Sequence, residues 1–509
     1  MQPYYWDNKD AELDDHLHTI DKRLDRSCTP FTTRGWANVL MIVSIVTALI
    51  FVFCAYPIMS HYTKTPMSLP SYNLGGINRT GQVPLLPNLP SLIDKDTPKS
   101  AMSRTGWDGN GYSLVFSDEF NTPGRTFYPG DDPYWEAVDL HYWPTGDYEW
   151  YSPDAVTTED GKLVITMTEE FNHQLNFKSG MIQSWNKFCF SSGYIEVSVS
   201  LPGTSRSGGF WPGVWTMGNL GRAGYGATNE GMWPYSYDSC DVGTFPNQTN
   251  HDGTPAAAAG ISNLPGQKTS ACTCPGEDHP GPTVNRGRSV PEIDVLEALV
   301  DPLQGVGQVS QSYQIAPFDN NYQFNNAAPA TTIYNTSITQ FNTYKGAPLQ
   351  QAVSSITNVD PSNYGGNGYA TYGFEYWANR NDRKNSFLTW FSGGQPSWTI
   401  RSASIGPDNA MNISSRIISE EPMSIIINFG LSDSFQRIDY GHLAWPAKMY
   451  VDYIRVYQRD GATNIGCEPP DYPTQDYIQK HLNAYSNPNL TTWAQAGYTF
   501  PKNRLYTGC

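Results

Sequence analysis

The sequence predicts an all-β protein: a two-sheet antiparallel β-sandwich carried behind a single N-terminal transmembrane helix. Three observations lead there. From about Gly106 onward, short runs of Val, Ile, Tyr, Phe and Thr recur, separated by Gly, Pro, Asn and Asp. Several of these runs alternate with period two, and long helical periodicity is scarce, as in sandwich folds. One stretch near the N-terminus is apolar on every helical face, which suits a bilayer span and not the core helix of a soluble domain.

The helix comes first in the chain. Gly35 through Thr63 contains no Asp, Glu, Lys or Arg, and its apolar centre is Val39 to Phe53. Trp36 and Tyr56 stand near its ends, where amphipathic rings favour the membrane interface. The run begins too far from residue 1, and is too long, for a cleaved signal peptide. It reads as a retained signal anchor. Lys22, Arg23, Arg26 and Arg34 precede it, against Lys64 and the more distant Arg79 after it. That bias puts the N-terminus in the cytosol and the remainder in a lumen or outside the cell. Residues 1–34 then form a cytosolic tail, 35–58 the anchor, and the Pro-, Ser- and Gly-rich 59–105 a stem.

Two further features agree with that topology. The sequons at Asn78, Asn247, Asn335, Asn412 and Asn489 all follow the apolar run. Such sites are glycosylated only on the lumenal side. Six of the eight cysteines also follow it: Cys189, Cys240, Cys272, Cys274, Cys467 and Cys509. An even number in an oxidising compartment implies disulfides, whose pairing the sequence leaves open. Cys272 and Cys274 are also a candidate metal half-site, but no second pair at zinc spacing completes it, so no metal is expected there. The net charge of −16 excludes nucleic acid as a partner and suits a neutral polymer.

The strand-like runs are, in order, Tyr112–Ser117, Lys162–Thr168, Gly193–Ser200, Ser424–Asn428 and Met449–Tyr457. Two Gly-, Pro- and Asn-rich stretches, Asn219–Arg288 and Asn320–Pro361, read as inserted loops. The first precedes the sharpest motif and is expected to shape a cleft. A tail from residue 461 to Cys509 includes one helix near Asp476–Tyr485.

That motif is Pro291-Glu-Ile-Asp-Val-Leu-Glu-Ala298. Three carboxylates alternate with apolar residues. In a regular strand Glu292 and Asp294 share one face, and Glu297 points to the other. One bulge between Asp294 and Glu297 brings all three together. Crowded like charges raise at least one pKa. Glycoside cleavage with retention needs that division: one carboxylate attacks the anomeric carbon, and another, kept protonated, donates to the leaving oxygen. A solvated strand edge or a calcium site would carry the same residue types.

The run resembles the active-site strand of glycoside hydrolase family 16 in its bulged, laminarinase-like form. Leu114–Asn121, Ser179–Ser184, Phe188–Phe190, Gly193–Val197, Trp211-Pro-Gly-Val-Trp215, Thr371–Trp377 and Val451–Tyr457 resemble further blocks of that family in the same order. The resemblance covers residues 106–460 and implies a jelly-roll, concanavalin-like sandwich. Residues Tyr235–Thr249, Gly307–Phe318 and Tyr472–His481 are similar to the fungal type II membrane proteins needed for β-1,6-glucan synthesis. By position, the resemblance implies Glu292 as nucleophile, Glu297 as general acid/base and Asp294 assisting between them. It implies Trp211 and Trp215 near the substrate, with core packing as the alternative role for each. Asp452 matches a calcium position of some relatives, although an ordinary polar strand residue is the simpler reading. No other cofactor is implied. Two departures stand out: Gln308, Gln311 and Gln314 occupy a strand that often carries a His, and the insert 219–288 is long.

The expected function is therefore that of a membrane-anchored retaining glycosidase or transglycosylase acting on β-1,3- or β-1,6-linked glucan for the fungal cell wall. The expected location is the ER, Golgi or plasma membrane. The competing expectation is a non-catalytic glucan-binding or scaffold protein that supports a separate synthase.

Overall fold

A computed structural model describes residues 32–56, 59, 91–256, 262–319 and 322–509. It divides into two units, Met1–Ser68 and Leu69–Cys509. In the first unit, helix α1 spans Thr33–Ile50, and the Thr32 side chain accepts from the Gly35 amide at its N-terminus. The helix continues through Phe51–Ala55 in wider turns. Gly35–Ala55 has a mean hydropathy of 2.6 and no buried residue. Its 21 residues rise about 30 Å, the thickness of a hydrocarbon core.

The second unit is a sandwich of two mainly antiparallel sheets. Its principal strands are β1 (Gly111–Asp118), β2 (Lys162–Asn172), β3 (Leu175–Ser179), β4 (Gly193–Ser200), β5 (Phe210–Gly218), β6 (Glu292–Asp301), β7 (Val306–Ile315), β8 (Gln350–Asn358), β9 (Ala370–Trp377), β10 (Phe387–Ser392), β11 (Gln395–Arg401), β12 (Met423–Leu431) and β13 (Ala447–Arg459). One sheet runs β11-β10-β9-β4-β13-β2-β3, with β1 also on β13. The other runs β8-β7-β6-β5-β12 and continues through Met181–Gln183. The strand carrying the acidic motif is thus central in its sheet, with a partner on each side.

Alternation puts the core between the sheets. Val214, Ile293, Val309, Tyr313, Ile425 and Ile427 from one sheet meet Ile195, Val197, Phe374, Trp390, Trp398 and Ile454 from the other. Trp390 and Trp398, both fully buried, stack at 4.3 Å across neighbouring strands. That pair covers more apolar surface than any aliphatic pair could at the same positions.

Three expectations change. The stretch 320–361 is not an inserted loop. It supplies Thr331–Ile333 to the first sheet, and Thr339–Phe341 and β8 to the second. Its polar residues misled because β8 lies near a sheet edge, where Ser354 and Thr357 bond to Ser312 and Thr339. The expected helix at 476–485 is two short ones, α2 (Gln475–Lys480) and α3 (Leu482–Ser486). The break falls at His481, which is buried against Tyr477 and Trp493 and lies 2.8 Å from Asp278. Residues 91–105, expected within the stem, lie against the sandwich: Ser103–Thr105 pairs with β1, and Leu92 accepts from the Ser117 amide.

The disulfides are Cys189–Cys467, Cys240–Cys272 and Cys274–Cys509. Cys272 and Cys274 are therefore bonded to different partners and form no metal half-site. Cys240–Cys272 closes a loop within the insert 219–288, while Cys274–Cys509, the Arg288–Glu421 ion pair at 2.8 Å and the Arg288 bond to Pro473 O tie the insert to the C-terminal tail and the sheet. Leu220, Tyr225 and Met232 of the insert pack with Tyr477, Trp493 and Ala496 of the tail on Trp215, Met217 and Ile426. This lobe covers part of the second sheet on the face turned away from the core.

Candidate active site

The acidic strand is bulged where the motif requires it. Against β5, Met217, Thr216 and Trp215 pair with Glu292, Ile293 and Asp294. Val214 and Gly213 then pair with Leu296 and Glu297, so Val295 is the extra residue. The register against β7 shifts over the same interval. Ile293, Val295, Leu296 and Ala298 consequently all face the core, and Glu292, Asp294 and Glu297 share the opposite face. The local sequence dictates this. A regular strand would turn Leu296 out and drive the Glu297 carboxylate into the core. The first forfeits about 2 kcal/mol of burial, and the second buries a charge among hydrocarbons.

A bulge frees backbone groups from the ladder, and buried ones need other partners. Trp390 Nε1 donates to Asp294 O at 2.9 Å, and Gln311 Nε2 donates to Val295 O at 2.9 Å. Thr216 Oγ1 donates to Ile293 O. The core thus holds the bulge from beneath.

Each carboxylate has its own donor. Trp233 Nε1 lies 2.7 Å from Glu292 Oε2, Trp211 Nε1 lies 2.8 Å from Glu297 Oε1, and Gln314 Nε2 lies 3.1 Å from Asp294 Oδ2. Asp294 also hydrogen-bonds Glu292. Burial, then the Glu297 charge, pushes Glu292 up to about 8, while burial pushes Glu297 up to about 7. Burial and both glutamates raise Asp294 well above the usual carboxylate range. The repulsion between Glu292 and Glu297 is mutual, so the donors decide which holds the charge. Glu292 receives two, from Trp233 and from protonated Asp294; Glu297 receives one. The donors favour the charge on Glu292 and the proton on Glu297, against the order of the two values, because the pair shares one proton and the donors stabilise only the charged form. Tyr142 stands beside the group, and its phenol is held neutral by burial and by the charges of Glu292, Asp147, Glu297 and Asp294.

Trp211 and Trp215 lie on the same face as the carboxylates, in different settings. Trp211 stacks on Phe435 at 4.2 Å with planes 3° apart. Trp215 is 8% exposed, within the cluster under the lobe, and its Nε1 donates to Asn428 Oδ1. Asn428 in turn donates to Tyr151, and Tyr151 to Asp147. Gly213, opposite Glu297, has no room for a side chain: a Cβ there would meet Asn428 Oδ1 at 2.7 Å.

The motif reading did not name Trp233, Tyr142 or Asn428, and it met Gln314 only as one of three glutamines on the following strand. Trp233 comes from the insert expected to shape the cleft, so the segment was visible and the residue was not. Asn247, Asn335, Asn412 and Asn489 are exposed, and Asn78 lies outside the described residues. Asp452 pairs with Lys162 at 2.9 Å. Among the described residues no group of three or more His, Cys, Asp or Glu is placed to hold a metal ion.

Fold and site together define a class: a two-sheet β-sandwich protein with three coupled carboxylates on a bulged central strand. The chain belongs to the beta-glucan synthesis-associated protein SKN1/KRE6/Sbg1 family, whose profile matches residues 4–509. It is 46% identical over 521 residues to the beta-glucan synthesis-associated protein KRE6 of Saccharomyces cerevisiae, covering 98% of this chain and 69% of that protein. It is 46% identical over 522 residues to SKN1 of the same yeast and 45% identical over 514 residues to SKN1 of Candida albicans. Those two alignments cover 98% of this chain and 64% and 65% of the relatives. The chain thus spans about two thirds of the length of these relatives. Among solved structures it is similar to the catalytic domain of an endo-1,3-beta-glucanase (laminarinase) from Thermotoga petrophila. The TM-score is 0.41 and the identity 16%, over 69% of this chain and all of that one. For an endo-beta-1,3-glucanase from Pyrococcus furiosus the values are 0.41 and 14%, over 72% of this chain and all of that one.

Proposed function

We propose that this protein is a membrane-anchored retaining glycosidase or transglycosylase that remodels β-glucan during fungal cell-wall β-1,6-glucan synthesis. One observation carries the reading: the Val295 bulge gathers Glu292, Asp294 and Glu297 on one face, each with its own donor. Glu292 attacks the anomeric carbon while Glu297 gives its proton to the leaving oxygen. The resulting glycosyl-enzyme is released when Glu297 takes a proton from the incoming hydroxyl, of water or of another glucan. Asp294 keeps its proton and bonds Glu292, which steadies the anion before attack and the leaving carboxylate afterwards. Trp211 fixes Glu297 and offers part of its ring to the sugar, while Trp215 forms the wall beside Asp294. The name of the family supports glucan as the ligand and transfer over net degradation. Helix α1 supports anchoring, with the sandwich on the lumenal or extracellular side.

The test uses the full chain in detergent with defined β-1,3- and β-1,6-linked glucans, followed by analysis of chain length and linkage. Redistributed lengths or new linkages are expected. Unchanged glucans in every case would sink the enzymatic reading. They would favour a binding or scaffold role beside a separate synthase, to which the bond of Trp233 to Glu292 lends some support by occupying an oxygen of the nucleophile.

The pH profile is a second check. The productive form carries one proton on the glutamate pair. It is lost toward acid as Glu292 protonates and toward alkali as Glu297 ionises. Since burial moves both groups above the ordinary range, product formation should peak near about pH 7. An optimum at about pH 4, where exposed carboxylates titrate, would contradict this assignment.

The lumenal placement predicts glycans on Asn247, Asn335, Asn412 and Asn489, all exposed. Protein from a fungal host should lose mass on treatment with an amidase specific for N-glycans. Each Asn→Gln variant should lack one increment, and a chain of unmodified mass would refute the placement.

A further inference from the structure

We infer that the hairpin β2–β3 and the loop after β12 form a second, non-catalytic sugar-binding platform that takes the same glucan chain beyond the carboxylates. This rests on the proposed function and extends it to polymer length.

Phe171, at the tip of the hairpin, is 76% exposed, and Tyr440 is 52% exposed. Nothing in the packing of the sandwich requires either ring in water, and large exposed rings that sit together mark a binding surface. They border an open hollow of about 400 Å³ that Glu169, Glu170 and Asn176 also line. Glu170 is held in place by Lys178 at 3.1 Å and by the Thr168 hydroxyl at 3.0 Å. Tyr440 stacks on Phe177, their planes 20° apart.

The chemistry matches a neutral sugar. A glucose ring has an apolar C–H face, which stacks on aromatic rings, and a rim of hydroxyls, which need acceptors and an amide alongside. The carboxylates repel anionic lipid and nucleic acid.

One loop joins the hollow to the site. The loop that carries Tyr440 also carries Phe435, which stacks on Trp211 beside Glu297. Tyr148, 38% exposed, donates to Asp433 of that loop. Beneath, ring contacts run from Phe177 to Trp445 at 5.0 Å and from Trp445 to Phe210 at 5.4 Å. Phe210 directly precedes Trp211. A long chain that lies on both the carboxylates and the hollow gains from the linkage.

The experiment titrates the full chain in detergent with a glucan trisaccharide and with a long soluble glucan of the same linkage. Wild type is compared with Phe171→Ala and with Phe171→Ala/Tyr440→Ala. The double variant should bind the long glucan about tenfold more weakly and the trisaccharide unchanged. Phe171→Ala alone should show part of the loss with an unchanged melting temperature, because its ring supports no packing. Equal affinity of wild type and variants for the long glucan, or equal losses for both ligands, would overturn the platform and leave the proposed function standing. A wild type that binds neither ligand would overturn both.

Discussion

Glu292→Gln is expected to stop glucan processing, with product formation falling at least about a thousandfold, while glucan binding and the fold persist. The change removes the attacking oxygen and keeps the shape. Its amide can still accept from Trp233 and face Asp294. The same variant should be more stable than wild type at neutral and alkaline pH. The folded-state pKa of Glu292 lies above its ordinary value, up to about 8. Between about pH 4.5 and 8 the folded glutamate pair therefore holds a proton that the unfolded chain has lost, and near neutrality it rests on Glu297 beside the Glu292 anion. Stability falls as pH rises through that window, and the full penalty stands above it. Glutamine has no such titration. Discounted for partial exposure and for the proton shared with its neighbours, the gain is about 1–2 kcal/mol at pH 8 and close to nothing at pH 4. Thermal melts at the two pH values check the sign. A lower melting temperature at pH 8, or undiminished product, would contradict the assignment of Glu292.

Gln311→Leu should be the most damaging single change outside the carboxylates. Gln311 is fully buried, and its amide donates to Val295 O and to Phe391 O, each at 2.9 Å, while its carbonyl accepts from Ser397. Leucine fills similar space and leaves three buried polar groups without partners, at a cost of about 3–5 kcal/mol. One of those groups is the bulge carbonyl. Loosening it lets Glu297 drift from Glu292, and a shift of about 1 Å costs about a hundredfold in rate. Urea unfolding together with product formation tests both effects. Gln308→Leu is the control. Gln308 sits toward the strand end, and its amide donates to the side chain of Asn358, so its loss should be within about 1 kcal/mol. Equal effects from the two variants would mean that Gln311 does not hold the bulge.

These glutamines show how far a linear reading goes. In the chain Gln308, Gln311 and Gln314 look like one polar run in place of a histidine. Strand parity separates them. Gln311 shares the core face with Val309 and Tyr313, while Gln308 and Gln314 point the other way, and Gln314 reaches Asp294. Parity was readable once β7 was recognised. That Gln311 meets Val295 was not, because the two residues touch only after β6 and β7 pair in one register.

The sequence by itself determined what depends on near neighbours. The apolar run Gly35–Ala55 marks a helix suited to lipid, because every face of it is hydrocarbon. Period-two alternation marks strands, because successive side chains point to opposite faces. The three acids of Pro291–Ala298 came with a condition, a bulge, because the spacing of Glu292 and Glu297 is odd. Tertiary structure decided what depends on groups far apart in the chain. Those are the placing of the extra residue at Val295, the donors Trp233 and Trp211, the strands within 320–361, the break at His481 and the three disulfide pairings. Each was settled by a partner that the local sequence does not contain: a core that takes both Val295 and Leu296, a half-buried Asp278 that claims His481, a neighbouring strand that accepts a polar edge. The motif named the three carboxylates, and the packing of the two sheets and the lobe put them on one face and divided their protons.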